Sequence, residues 1–188
     1  EAEKGGGGGG ASLESSFNWA YRGGQPGSTF KAFAVAAALK AGYALKDTFE
    51  GNSPYTFHDG LEVKNEGPGN GNNYGAHISL TKAMEQSVNT AFVDLTQGLP
   101  NRGGDVNKMA YTLGIPEDRT TLEDNATAAL GGNTVGVIDM VNAYSTIANE
   151  GVAHPWYVVK SVKSAITGKT LYNRPDDSAE VLDPDIAA

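Results

Sequence analysis

The sequence predicts an α/β chain of the α+β kind: a mostly helical body followed by a small, incomplete antiparallel sheet. Three observations carry this. The stretch Ser28 to Ala41 is apolar nearly all round and is bracketed by Pro26-Gly27 and Gly42, which reads as one buried helix. Further capped helical patterns follow as far as Asn149. Beyond them the residue choice turns to β-formers, with a hairpin signal near Gly168.

Taken in order, residues 1–16 read as a flexible Gly-rich linker or a cloning remnant, because Gly5 to Gly10 is an unbroken glycine run. Residues 17–188 read as the folded part. In the first helix Phe30, Phe33, Val35 and Leu39 stand among alanines, and Gly42 stops it. Residues 51–76 read as loop, dense in turn signals such as Asn52-Ser53-Pro54 and Gly67-Pro68-Gly69, with a short strand at Leu61 to Val63. Ser79 caps a helix to about Gln86, a second runs from Thr90 to Gln97, and a third from Asn107 to Leu113 is ended by Gly114 and Pro116. Ile138 to Asn149 continues the pattern, with Ala143, Ile147 and Ala148 on one face and Gly151 as its cap. Trp156-Tyr157-Val158-Val159 and Val162 are β-formers, Ile166 to Tyr172 is a hairpin turn with its returning strand, and the tail from Pro175 is polar and acidic.

Composition narrows the function. At 39% hydrophobic over 188 residues there is enough apolar material for one core. The net charge of −8 argues against nucleic acid or an anionic membrane as the main partner. No apolar run approaches the ~20 residues of a membrane span, so the chain itself is expected to be soluble. The absence of Cys removes disulfides, thiolate metal sites and a thiol nucleophile, and suits a protein working outside the cytoplasm. His58, His77 and His154 show no metal-ligand spacing, so neither a metal nor a cofactor is expected.

The chemistry sits at Ser28 and Lys31, a hydroxyl and an amine one helical turn apart. A serine hydroxyl is a weak nucleophile until a base takes its proton. A lysine at i+3 lies on the same helix face, and burial among Phe30, Ala32, Phe33 and Ala34 lowers its pKa toward the neutral form that can act as that base. The helix start also puts backbone N–H groups near a developing oxyanion. The tetrapeptide alone is common: Ser79-Leu80-Thr81-Lys82 repeats it and reads as a cap with its lysine in water. Ser87-Val88-Asn89 falls where two helices join and can project both polar side chains into one cleft, Ser87 to relay a proton and Asn89 to hold a substrate amide and fix Lys31. Ser87 and Asn89 also fit an ordinary capping role, and Ser16-Phe17-Asn18 matches the same pattern.

Order and context add to this. Gln25 to Phe33 (QPGSTFKAF), followed by Ser87-Val88-Asn89-Thr90, resembles the transpeptidase domain of class A penicillin-binding proteins, a serine penicillin-recognising fold related to β-lactamases. Ala129-Leu130-Gly131-Gly132 and Val137 to Gly151 resemble the segment that leads back to that family's sheet. The resemblance implies Ser28 as the acylated nucleophile, Lys31 as general base, and Ser87 with Asn89 as the second motif. It implies D,D-transpeptidase chemistry on peptidoglycan stem peptides ending in D-Ala-D-Ala, inhibition by β-lactams, and an extracytoplasmic, membrane-associated full-length protein.

The family's third motif, Lys-Thr-Gly on a strand, does not occur. Gly168-Lys169-Thr170-Leu171 comes nearest, lacks the final glycine, and is assigned no catalytic role. The strands ahead of the nucleophile helix are missing as well. The expectation is a partial domain whose missing strands come from a second polypeptide, or a piece unable to complete its site and slow on its own. A class D β-lactamase or a β-lactam sensor domain shares the Ser-Thr-Phe-Lys motif, and a non-catalytic binding or reconstitution fragment is the reading from another class.

Overall fold

A computed structural model of the chain describes residues 18–188, so the expected linker at 1–16 and the Ser16-Phe17 part of the duplicate motif lie outside the described residues. A short helix α1 (Trp19–Arg22) and a 3-10 turn (Gly27–Phe30) lead into α2 (Lys31–Lys40), the spine of the core. Phe33, Ala34 and Ala38 are fully buried and Phe30 nearly so. Burying a phenylalanine side chain contributes roughly 1.5–3 kcal/mol. The Phe30 and Phe33 rings, 4.8 Å apart and edge-to-face, therefore pin the start of α2. The alanines let neighbours come close, and α2 packs against α3 (Leu80–Glu85), α4 (Asn89–Gly98) and α5 (Gly103–Leu113). Helix α6 (Val137–Ala148) lies against α5 and α1, with Ala143 buried and Ile147 packed on the core.

The strands are short and pair antiparallel in twos. They are β1 (Thr48–Phe49) with β4 (Ile78–Ser79), β2 (Tyr55–Thr56) with β3 (Glu62–Val63), β5 (Val152–Ala153) with β8 (Ala179–Glu180), and β6 (Ser161–Lys163) with β7 (Thr170–Asn173). The expected strand near Leu61 is β3, and the expected hairpin is β6–β7, with Ser161 opposite Asn173. Gly151 takes φ +84 after α6 and returns its N–H to Thr146 O at 2.9 Å, as a helix-ending glycine does.

Tertiary contacts override the sequence expectation in four places. Helix α5 begins at Gly103 rather than Asn107, because Gly103 sits so close to the Asn125 backbone that a Cβ would lie 2.3 Å from its carbonyl oxygen. Trp156 to Val159 form no strand: Pro155 removes a backbone donor, and Val158 is left 87% exposed. Ala148 faces solvent, unlike its expected partners Ala143 and Ile147. The acidic tail folds back as β8 and α7 (Pro184–Ala187), because Leu182, Ile186 and Ala187 find apolar surface on the core. Among the described residues no helix is long and apolar enough to cross a membrane.

Candidate active site

Ser28 lies in the 3-10 turn just ahead of α2, so it is a first-turn residue rather than a cap. The turn is held by two glycines. Gly27 has φ +59 and donates its N–H to Gly131 O at 3.1 Å. Gly131, itself at φ +68, ends a second 3-10 turn (Ala128–Leu130) and comes so close that a Cβ would lie 2.3 Å from Gly27 O. The Ala129 to Gly132 segment of the sequence thus braces the turn that carries Ser28. Tyr144 on α6 braces it from the other side, donating its hydroxyl to Thr29 O at 2.5 Å, and burial raises its pKa.

Lys31 points inward with 1% of its surface exposed. Its Nζ is 2.9 Å from Ser28 Oγ, 2.8 Å from Ser87 O, 3.0 Å from Ser87 Oγ and 2.7 Å from Asn89 Oδ1. The Phe92 ring closes another side, 5.5 Å from Nζ. Burial pulls the lysine pKa from 10.5 down to about 8, while the Glu66 carboxylate works the other way. Four oxygens around one amine settle its orientation. Ser87 O and Asn89 Oδ1 are carbonyl oxygens and can only accept. A neutral amine has two N–H bonds and one lone pair, so donating to both carbonyls leaves the lone pair facing the two serine hydroxyls. In that state Lys31 can accept the proton of Ser28 or of Ser87.

The second motif is built by backbone strain and a loop contact. Ser87 sits between α3 and α4 at φ +53, a left-handed conformation usually left to glycine. That conformation turns its carbonyl and its hydroxyl onto the same amine. Asn89 opens α4 and donates Nδ2 to Lys64 O at 3.0 Å, which fixes which end of the carboxamide faces Lys31. All four expected site residues, Ser28, Lys31, Ser87 and Asn89, thus meet at one amine. The duplicate at Ser79 behaves differently: its Oγ caps α3, and Lys82 is exposed and pairs with Glu85 at 2.7 Å. Lys169 and Thr170 lie on the exposed β6–β7 hairpin. Sequence reasoning missed Lys64, Glu66 and Tyr144. Each reaches the site through a backbone carbonyl, a through-space charge or a distant helix, and none leaves a local pattern.

Known proteins share this sequence pattern and this fold. The family described as penicillin binding protein transpeptidase domain matches residues 18–183. Penicillin-binding protein 1A of Mycolicibacterium smegmatis is 33% identical over 193 residues, taking in 95% of this chain and 23% of that protein. Peptidoglycan D,D-transpeptidase PbpA of the same organism is 32% identical over 181 residues, 87% of this chain and 36% of that protein. The structure of the PonA1 protein from Mycobacterium tuberculosis in complex with penicillin V superposes with a TM-score of 0.79 at 30% identity, covering 92% of this chain and 47% of that one. The chain spans less than half the length of each. By sequence and by fold, it belongs to the penicillin-binding protein transpeptidase domain family.

Proposed function

We propose that the chain carries the nucleophilic half of a D,D-transpeptidase site, with Ser28 as the acylated residue. The observation that supports this is Lys31 Nζ held 2.9 Å from Ser28 Oγ and close to two carbonyl oxygens that can only accept, Ser87 O and Asn89 Oδ1, so that a neutral amine would turn its lone pair toward the serine hydroxyls. Ser28 Oγ attacks the carbonyl carbon between the two terminal D-Ala residues of a stem peptide, and its proton passes to Lys31. The amide C–N bond breaks, Ser87 relays the proton to the leaving amine, and D-Ala departs. An amine of a second stem peptide then attacks the ester carbonyl, the bond to Ser28 Oγ breaks, and the proton that this amine gives up passes through Lys31 to Ser28 Oγ. A β-lactam stops at the first stage because its amine stays tethered to the acyl group.

Peptidoglycan stem peptides and β-lactams are thus the proposed ligands, and the outer face of the cytoplasmic membrane the proposed place of work. Lys-Thr-Gly does not occur in these 188 residues. Either a second polypeptide supplies the strand that binds the substrate carboxylate and completes the oxyanion hole, or these residues do not complete the site. Losing one oxyanion donor costs about 10²–10³ in rate, so these residues alone acylate slowly.

Intact mass measurement after incubation with penicillin tests the assignment. One penicilloyl adduct is expected, absent in Ser28→Ala. An adduct that survives Ser28→Ala refutes it. Sustained turnover of nitrocefin in place of a lasting adduct would identify a β-lactamase instead.

A further inference from the structure

We infer that Asn65 and Thr90 form a clamp that positions Asn89, and through it aims the lone pair of Lys31 at Ser28. This rests on the proposed role of Lys31 as base. Asn65 is 5% exposed and Thr90 fully buried. Asn65 Oδ1 accepts from Thr90 N–H at 2.9 Å and from the Thr90 hydroxyl at 3.1 Å, and Nδ2 donates to Gly51 O and Asn72 O, both at 3.1 Å. That uses every donor and acceptor of the carboxamide, so the side chain has one satisfiable orientation.

The clamp acts on Asn89 because of chain adjacency. Thr90 follows Asn89, and Asn65 follows Lys64, whose carbonyl takes the Asn89 Nδ2 proton. Two covalently linked pairs, 64–65 and 89–90, are therefore joined by two sets of hydrogen bonds. The first set orients the Asn89 carboxamide, and the second locks the backbone that carries it. The Asn65 backbone N–H donates to Ser53 Oγ, which donates to Asn70 O, tying the 51–76 loop into the same unit. Asn65 makes no hydrogen bond to Ser28 or Lys31, so it is a positioning residue. If it lets go, Asn89 Oδ1 no longer holds one N–H of the amine, and the lone pair is free to turn from Ser28.

The test is a double-mutant cycle on the 188-residue chain, with acylation by a fluorescent penicillin as the rate. Asn65→Ala is expected to slow acylation about tenfold or more, the scale of a small misplacement at a reacting centre. In an Asn89→Ala background the same change should cost less than about twofold, because its route of action is already gone. Thr90→Val should repeat this pattern and Thr90→Ser restore most of the loss, which serves if Asn65→Ala does not fold. A second readout needs no acylation: hydrogen exchange of the Asn89 side-chain amide by NMR. Exchange should quicken in Asn65→Ala or Thr90→Val while backbone protection later in α4 holds. Effects that multiply in the cycle, or an Asn89 amide that exchanges as in the parent chain, overturn the clamp. If Ser28→Ala still labels, the proposed nucleophile fails instead, and the exchange measurement alone judges the clamp.

Discussion

The depressed pKa of Lys31 makes a pH prediction whose sign and midpoint can both be checked. Lysine as a base must be neutral. With its pKa at about 8, roughly one molecule in ten has a neutral Lys31 at pH 7; at the ordinary value near 10.5 the fraction would be about one in three thousand. Burial thus raises the competent fraction by about 300-fold. Acylation of Ser28 should climb about tenfold per pH unit below the midpoint and level off above about pH 8. Glu66 opposes the shift by favouring the ammonium form, so Glu66→Gln should move the midpoint to lower pH and speed acylation at neutral pH. Because Glu66 is exposed, added salt should have the same effect on the parent chain and almost none on Glu66→Gln. The assay is time-resolved adduct formation with a fluorescent penicillin from about pH 6 to about pH 10, set beside an NMR titration of the Lys31 side chain. A flat profile, or a midpoint near the unperturbed lysine value, refutes the assignment of Lys31 as a buried base. A Glu66→Gln midpoint moved upward refutes the electrostatic account.

Three further outcomes follow from the geometry. Ser87→Gly and Ser87→Ala both remove the relay hydroxyl, but only glycine relieves the φ of +53, so the glycine variant should be the more stable by about 1 kcal/mol in denaturant unfolding. Asp139 is 2% exposed and pairs with Arg119, and among the described residues its second carboxylate oxygen has no hydrogen-bond partner, so Arg119→Met should cost about 3 kcal/mol by removing the ion pair of a buried carboxylate, read as a lowered Tm. Tyr144→Phe removes only the hydroxyl that holds Thr29 O, so acylation should slow with little change in Tm; an unchanged rate would show that the glycine brace suffices.

What could be read from the sequence was local. Helix α2, its stop at Gly42, the cap at Ser79 and the β6–β7 hairpin each depend on residues within a few positions of one another. So does the Ser28–Lys31 pair, since i+3 spacing fixes proximity whatever else the chain does. The misses are long-range. Asn65 lies in a loop crowded with asparagines, and only the folded chain shows that it, unlike Asn70 or Asn73, is buried beneath the start of α4. Helix α5 starts at Gly103, ahead of the expected Asn107, where contact with Asn125 outweighs the low helix propensity of glycine. The tail was legible as polar, yet Leu182 and Ile186 suffice to dock it.

The two Ser-x-x-Lys copies show why the tetrapeptide does not carry the chemistry. Both put a lysine three residues after a serine at a helix start. Ser79 takes an extended conformation and spends its oxygen on the Lys82 N–H, so its lysine stays on the outer face, charged and paired with Glu85. Ser28 makes no such cap; its turn is held by Gly131 and Tyr144. Its hydroxyl is spent on no backbone N–H and meets Lys31 Nζ at 2.9 Å, and Lys31 is delivered into the core against two carbonyls that cannot donate. Burial alone would give a neutral lysine with no preferred direction. The two carbonyls alone, in water, would hold an ammonium ion with no lone pair to offer. A directed base needs both, and the second comes from the strained Ser87 and the anchored Asn89, more than fifty residues away in sequence. In the proposed site the working unit is the buried amine with its two obligate acceptors, and Ser28 is the proposed nucleophile because its hydroxyl is one of the two that the remaining lone pair faces.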